Sequence, residues 1–224
     1  MRPVGYFIVA PDKRPATQKF AARPTRFQTE NMPQSNYLVI PEVSSERRRY
    51  IPIGFMDKET FCSNLVRLVP HATLYHFGVL TSVVHMAWMR AVAGRLESRY
   101  RYSKDIVYNC FPWPSPKEQQ KKKIELTAQA ILDARAAHPT VSMAELYGEH
   151  SDLFEDLVAA HEANDRAVMA AYGFKSSMTE PEIVAELFKL YQARTDEIAA
   201  EEAKQKEANA AKPRKRRAKA KENP

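Results

Sequence analysis

The sequence predicts an α+β fold, in which a small mixed α/β domain is followed by an α-helical domain and a disordered basic tail. Short apolar runs separated by proline, glycine and polar turns fill residues 36–116, a pattern typical of short strands. From residue 117, apolar side chains recur at helical spacing among helix formers. Residues 212–221 contain only Lys, Arg, Ala and Pro, which leaves too little apolar surface for a core.

The predicted domain organisation follows these changes in composition. Five prolines in residues 1–35 indicate an extended lead-in. The boundaries are a lead-in segment at 1–35, the mixed α/β domain at 36–116, the helical domain at 117–195, and a helical extension with the basic tail at 196–224.

The strands are predicted in the first domain. A polar turn with three successive arginines separates the first two apolar runs. Because Pro52 cannot donate a backbone hydrogen bond, the run that contains it belongs at a sheet edge or a bulge. The candidate strands and extended pieces are Tyr37–Ile40, Tyr50–Phe55, Leu65–Val69, Thr73–Phe77, Glu97–Tyr102 and Ile106–Tyr108.

One helix is predicted inside the first domain. Thr81 or Ser82 can cap its start, and Gly94 follows its end. Apolar side chains cover most of its circumference, so it belongs in the core, with Trp88 as a packing residue. The proline-rich run at 111–116 excludes both helix and central strand, and predicts a rigid strap that ends the domain.

The second domain is predicted to be helical throughout. Gly173 is placed to stop one helix, and Pro181 fits the first turn of the next. The predicted helices cover Lys117 to about His138, Met143–Tyr147, Leu153–Tyr172, and a segment from Thr179 with an extension over 195–211.

Charge is distributed unevenly along the chain. Residues 1–116 hold 16 Lys and Arg against 8 Asp and Glu, whereas residues 117–211 hold 11 against 18. A basic first half favours a polyanionic partner, with solvated surface charge as the alternative. No apolar run approaches the roughly twenty residues of a transmembrane helix, so no membrane partner is expected and the cytoplasm is the expected location. Cys62 and Cys110 are predicted to be buried free thiols.

A charged motif near the end of the first domain carries the functional prediction. Glu97, Arg99 and Arg101 are spaced two residues apart, which on one strand would place all three side chains on one face. Arginine donates to guanine O6 and N7, and glutamate accepts from the cytosine amino group. The motif therefore suits a G·C pair in the major groove. An exposed strand face with a local ion pair is the alternative.

The motifs of several enzyme classes are missing from the sequence. It has six glycines and no Gly-x-Gly for a methyl-donor loop. It also lacks a phosphate-binding loop, a Gly-x-Ser-x-Gly elbow and histidines at metal-ligand spacing. We therefore predict no catalytic and no metal residues, and no catalysis by this chain alone.

Four long ungapped runs of the sequence are informative: Tyr37–Phe55, Tyr75–Arg90, Gly94–Pro114 and Ala128–Arg135. They resemble the MmeI-like, type IIL restriction-modification proteins. In that family one chain carries a nuclease, an adenine-N6 DNA methyltransferase, a target-recognition domain and a C-terminal helical domain. The resemblance covers roughly residues 14–192 and corresponds only to the last two parts.

The resemblance implies roles for individual residues. The first domain would be the target-recognition domain, and Glu97 with Arg99 would contact one base pair near an end of the recognition site. Related proteins look charge-swapped at these two positions, with Lys and Asp. Arg101 would be a neighbouring base or phosphate contact, and Glu46 a further base-contacting candidate. The residues expected to contact phosphates are Arg47, Arg48, Arg95 and Lys104.

Partners and cofactors follow from the same resemblance. Double-stranded DNA is the expected partner, together with a separately encoded methyltransferase or nuclease polypeptide. S-adenosylmethionine is expected in the missing methyltransferase domain, with no cofactor bound by this chain. The alternative is a protein-interaction fragment, or an inactive remnant, that docks on a methyltransferase through its acidic helical half.

Overall fold

The computed structural model describes Pro15 and residues 32–210, with side chains to residue 206. The predicted basic tail, and the lead-in except Pro15 and residues 32–35, lie outside the described residues. Within the described part, six short strands form two antiparallel sheets: β1 (Tyr37–Pro41), β2 (Val43–Ser44), β3 (Gly54–Met56), β4 (Val66–Pro70), β5 (Gly94–Leu96) and β6 (Arg99–Arg101).

Both sheets lie in the first half of the chain. The first has the order β3-β1-β4 and the second has the order β2-β6-β5. The four apolar side chains at the start of β1 are buried, as expected for a central strand. The predicted strand at Tyr50–Phe55 is reduced to the edge strand β3, and Pro52 precedes it. This position suits a residue that cannot donate to a strand ladder.

The predicted strand at Thr73–Phe77 is wrong, because these residues enter helix α1 (Leu74–Leu80). The Thr73 amide donates to His76 Nδ1 over 3.1 Å and satisfies one free group at the helix start. A short apolar run does not distinguish a buried strand from a buried helix. Gly78 lies in this helix and allows α1 to approach the helices of the second half closely.

The core helix of the first half is confirmed as α2 (Val83–Val92). The Ser82 hydroxyl accepts from the His85 amide over 3.3 Å, which is one of the two predicted caps. Trp88 is buried in the core, as predicted. Cys62 and Cys110 are free, but both are half-buried instead of buried.

Two extended segments are predicted beyond α2. The strand predicted at Glu97–Tyr102 is confirmed in part as β6 (Arg99–Arg101), whereas residues 97 and 98 form the turn between β5 and β6. Ile106–Tyr108 lies in a π-helical turn (Lys104–Tyr108). The Trp88 indole donates to the Val107 carbonyl over 3.0 Å and fixes this turn against α2.

The helical second half is confirmed. Gly173 ends a helix with a φ of 73°, the left-handed conformation that favours glycine. A 3₁₀ turn at Ser151–Leu153 precedes that helix, which therefore begins two residues later than predicted. The helices are α3 (Glu118–Ala136), α4 (Met143–Leu146), α5 (Glu155–Tyr172) and α6 (Glu180–Ala210).

One apolar core joins the two halves of the described chain. Trp88 from α2 packs with Phe188 and Tyr191 of α6 at ring-centroid distances of 5.3 and 5.9 Å. Helix α3 contacts both α1 and α5. The buried cluster runs from Leu38 in β1 to Leu187 in α6. The second half thus supports the sheets and hairpin of the first.

Candidate nucleic-acid interface

The β5–β6 hairpin carries the predicted base-contacting pair at its tip (Leu96–Arg99). Leu96 pairs with Arg99, so Glu97 and Ser98 are the two turn residues. Glu97 has a φ of 57°, a conformation that the first residue of some two-residue hairpin turns requires and that glycine usually supplies. A glutamate at this position places a carboxylate at the outermost point of the hairpin.

Glu97 and Arg99 form an ion pair at the hairpin tip. The Arg99 guanidinium donates to Glu97 Oε2 over 2.7 Å, with the side chains 47% and 77% exposed, respectively. Glu97 and Arg99 are close together, as predicted. The hairpin turn brings them together, however, and they do not share one face of a strand. Arg99 and Arg101 share the exposed face of β6, and the intervening Tyr100 is buried.

Arg95, an exposed residue of β5, stabilises the hairpin tip through two contacts within the hairpin. Its guanidinium carbon lies 3.8 Å from the centroid of the Tyr100 ring, within the range of a cation–π contact. The same group donates to the Ser98 carbonyl over 2.9 Å. Arg95 therefore holds the turn closed, a role that sequence spacing did not indicate.

The turn after β2 brings three more predicted residues towards the hairpin tip. Glu46, Arg47 and Arg48 line a cavity of about 330 Å³, together with Arg99. Hydrogen bonds from its own backbone amide and from Ser98 lower the pKa of Glu46, as do nearby arginine charges. We call this cavity the polar cleft; its walls are Ser45, Glu46, Arg47, Arg48, Ser98, Arg99, Gly148 and Glu149.

Arg101 is held by a carboxylate that the sequence did not single out. Its Nε donates to Glu42 Oε1 over 3.1 Å, and the Arg67 guanidinium lies 2.8 Å from Glu42 Oε2. The Glu42 side chain is only 11% exposed. The chain crosses from one sheet to the other at Glu42, because β1 ends at Pro41 and β2 begins at Val43. Tyr102 donates its amide to the Glu42 carbonyl over 2.6 Å.

Lys104 lies apart from the polar cleft. It begins the π-helical turn and its ammonium is 3.5 Å from Asp105 Oδ1. It borders a different cavity of about 290 Å³, which Arg67 and Tyr108 also line. The structure therefore groups Glu46, Arg47, Arg48 and Arg99 in one cleft and separates Lys104 from them. Glu97 and Arg95 do not line this cleft, but they bond to two residues that do, Arg99 and Ser98.

The described residues contain neither a metal-binding cluster nor a membrane-spanning helix. No group of three His, Cys, Asp or Glu side chains there is arranged to hold a metal ion. None of the described helices is both long and apolar enough to cross a membrane.

Comparison with protein families identifies both halves of the chain. The family profile described as "MmeI, target recognition domain" matches residues 9–115. The profile described as "MmeI, C-terminal domain" matches residues 116–199. Together these matches include the polar cleft, the hairpin and the helices packed behind them.

A curated relative and a solved structure are similar to the chain. DNA methyltransferase A of Bacillus subtilis (strain 168) is 39% identical over 180 residues, which is 80% of this chain and 20% of the relative. The type IIL restriction-modification enzyme MmeI, solved in complex with DNA, is 44% identical with a TM-score of 0.79. That similarity covers 86% of this chain and 26% of the solved chain. The chain thus spans about a fifth to a quarter of these two proteins.

Proposed function

Because this chain belongs to the MmeI family, we propose that it is a sequence-specific DNA recognition module of a type IIL-like adenine-N6 methyltransferase and restriction system. Base contacts come from the β5–β6 hairpin, and the helical half holds that hairpin in place. S-adenosylmethionine and the catalytic groups belong to a methyltransferase region, and no described residue takes a catalytic role.

The exposed ion pair at the hairpin tip is the observation that carries this proposal. Glu97 and Arg99 present an acceptor and a set of forked donors side by side, matching the cytosine amino group and the guanine O6 and N7 atoms. An exposed pair of this kind contributes about 0–1 kcal/mol. It can therefore open at little cost when better partners on the base pair become available.

Arginines beside the tip are proposed to contact the phosphates. Arg47 and Arg48 lie in the polar cleft next to Arg99, so they can position the duplex while the hairpin contacts base edges. Arg95 uses one N–H group on Ser98 and retains others, because a guanidinium carries five donors. Lys104 would contact a more distant phosphate, since it borders a different cavity.

Reversing the charges at the tip tests base recognition. The double variant Glu97→Lys with Arg99→Asp exchanges donor and acceptor, so the preferred base pair should change at one position of the site. We expect about 1–3 kcal/mol of discrimination at that position. The measurement is selection from a randomised duplex pool by wild type and variant.

The matched control reverses an ion pair on α6. Glu186 and Lys189 are 2.7 Å apart, and Glu186→Lys with Lys189→Glu should select the wild-type sequence. If the tip variant also selects the wild-type sequence, or if neither protein selects any, base recognition by Glu97 and Arg99 is wrong.

The module would act with a methyltransferase polypeptide, whether that partner is encoded separately or together with it. Co-purification of such a polypeptide with this chain, on a duplex carrying the selected site, is the supporting result. The alternative of a protein-interaction fragment predicts co-purification without any affinity of this chain for DNA.

A further inference from the structure

Glu149 belongs to the helical half, yet it forms part of the wall of the polar cleft. It follows α4 in a tight turn, where a Cβ on Gly148 would lie 2.8 Å from the Ala144 carbonyl oxygen. The preceding Tyr147 is anchored through its hydroxyl, which is 2.8 Å from Arg135 Nε and 2.7 Å from His161 Nε2. The position of Glu149 is therefore set by the core and not by the hairpin.

Arg47, one of the proposed phosphate contacts, is the partner of Glu149. Its guanidinium donates to Glu149 Oε1 across the cleft, although the two residues are 102 positions apart in the chain. The hydrogen bond and charge of Glu149 raise the pKa of Arg47. Both side chains stay accessible to solvent and to a ligand, with 69% of Arg47 and 59% of Glu149 exposed.

We propose that Glu149 competes with DNA phosphate for the Arg47 guanidinium and so weakens binding to every duplex, whatever its sequence. This inference rests on the proposed function. A carboxylate and a phosphate use the same forked donors of arginine, so the ion pair must open before Arg47 can contact the backbone.

The competition separates affinity from sequence choice. Phosphate contacts carry no base information, and Glu149 acts only through such a contact. The hairpin tip therefore decides which base pair is preferred, while a residue of the helical half limits how tightly the module binds. Such a limit reduces the time spent on non-specific sites, where binding depends on phosphates alone.

The test measures the affinity of the full chain for a short duplex of random sequence, over a range of salt concentrations. Removing the competing charge in Glu149→Gln should tighten binding about 1.5- to five-fold, the range that corresponds to an exposed ion pair. The control Glu186→Gln changes the net charge equally but removes a pair on α6, and should leave the affinity unchanged.

A double-variant cycle identifies the route of the effect. If Glu149 acts through Arg47, Glu149→Gln should have no effect in an Arg47→Ala background. An equal gain in that background, an equal gain from Glu186→Gln, or an unchanged or weaker affinity of Glu149→Gln overturns the competition.

The same duplex-binding measurement tests the competition separately from the proposed function. Wild-type protein that shows no salt-dependent duplex binding would overturn both. Wild-type protein that binds, with a Glu149→Gln variant that binds equally well, would overturn only the competition.

Discussion

The hairpin tip and the helix junction (Gly78, Ile124, Thr127, Ala128 and Asn164) satisfy their polar groups in different ways. At the tip, Glu97 and Arg99 pair with each other while both remain accessible to water. In the junction, the fully buried Asn164 donates to the Gly78 carbonyl over 2.8 Å and its Oδ1 lies 3.1 Å from Thr127 Oγ1.

The neighbouring Asp165 links the helix junction to the first half of the chain through two further hydrogen bonds. It accepts from the Tyr50 hydroxyl over 2.6 Å and from the Val83 amide over 2.7 Å. If one partner of a buried bond is lost, the other stays unpaired at a cost of about 1–3 kcal/mol, whereas water replaces a lost partner at the surface. Stability is therefore concentrated where the helices meet, and the tip can change its chemistry without unfolding the protein.

Acid should destabilise the buried region more than any single substitution at the tip. Burial lowers the pKa of His85 to about 3 and that of His161 to about 3, from an ordinary value of 6.5. Below pH 6.5 the unfolded chain binds protons at both histidines that the folded chain does not bind. Their contribution to stability is therefore complete above pH 6.5, the pKa of histidine in the unfolded chain. It is lost as the pH falls from there towards about 3, the pKa of both histidines in the folded chain.

Each of these protons corresponds to about 1.4 kcal/mol per pH unit, so two give a slope of up to about 2.7 kcal/mol per pH unit. Burial raises the pKa of Asp165 above its ordinary value of 3.8. At pH values just above 3.8 the folded chain therefore binds a proton at Asp165 more readily than the unfolded chain, and this reduces the slope in that range. Urea unfolding at a series of pH values measures the slope. His161→Gln should reduce it by one proton, and an unchanged slope in this variant would contradict the assignment.

A substitution at Gly78 should be the most damaging single change in the helix junction. An added Cβ would lie 2.7 Å from Ile124 Cγ2 and 3.0 Å from Asn164 Oδ1, which forces α1 away from α3 and α5. Gly78→Val should therefore lower the free energy of unfolding by about 3 kcal/mol, at the upper end of the usual cost of overpacking. Chemical denaturation measures this loss.

Gly94 in the hairpin supplies the matched control for Gly78. A Cβ at Gly94 would have no neighbour within 4 Å, so Gly94→Val should change the unfolding free energy by less than about 0.5 kcal/mol, as for other surface positions. Equal losses in the two variants would show that the halves are not packed as closely as the structure indicates.

The sequence was sufficient to predict the elements whose signals are local. The apolar run of β1 and the spacing in α3 and α5 specify a strand and helices before any partner is known. The segment at Thr73–Phe77 is helical instead of extended, because a short apolar run is compatible with either state, and the helix packs through Gly78 against Ile124 of another helix. No window of sequence around residue 75 contains that partner.

Two carboxylates of the candidate site could not be predicted from the sequence, because their partners also lie far away in the chain. The spacing of Glu97 and Arg99 predicted their proximity, although the turn that brings them together was not recognised. Glu42 is 59 positions from Arg101, and Glu149 is 102 positions from Arg47. Only the folded chain brings such carboxylates to their arginines, so charge spacing along the sequence could not identify them.

The smallest expected effect concerns the conformation of the hairpin tip. A non-glycine residue at positive φ costs roughly 1–2 kcal/mol, and Glu97, with a φ of 57°, bears this cost at a site where its carboxylate is proposed to contact a base. Glu97→Gly should raise the free energy of unfolding by up to about 1 kcal/mol, because the gain in the turn exceeds the losses from the freer unfolded chain and from the exposed ion pair with Arg99.

The same Glu97→Gly variant should lose discrimination at one base pair, so that stability and recognition change in opposite directions. Ser98, whose φ is not positive, gives the control: Ser98→Gly should lower the unfolding free energy, because it gains no relief in the turn. Denaturation of the two variants beside wild type, with duplex selection for each, checks both expectations. If Glu97→Gly is less stable than wild type, the turn is not strained at Glu97. The fold would then hold the Glu97 carboxylate at the tip without any cost in stability.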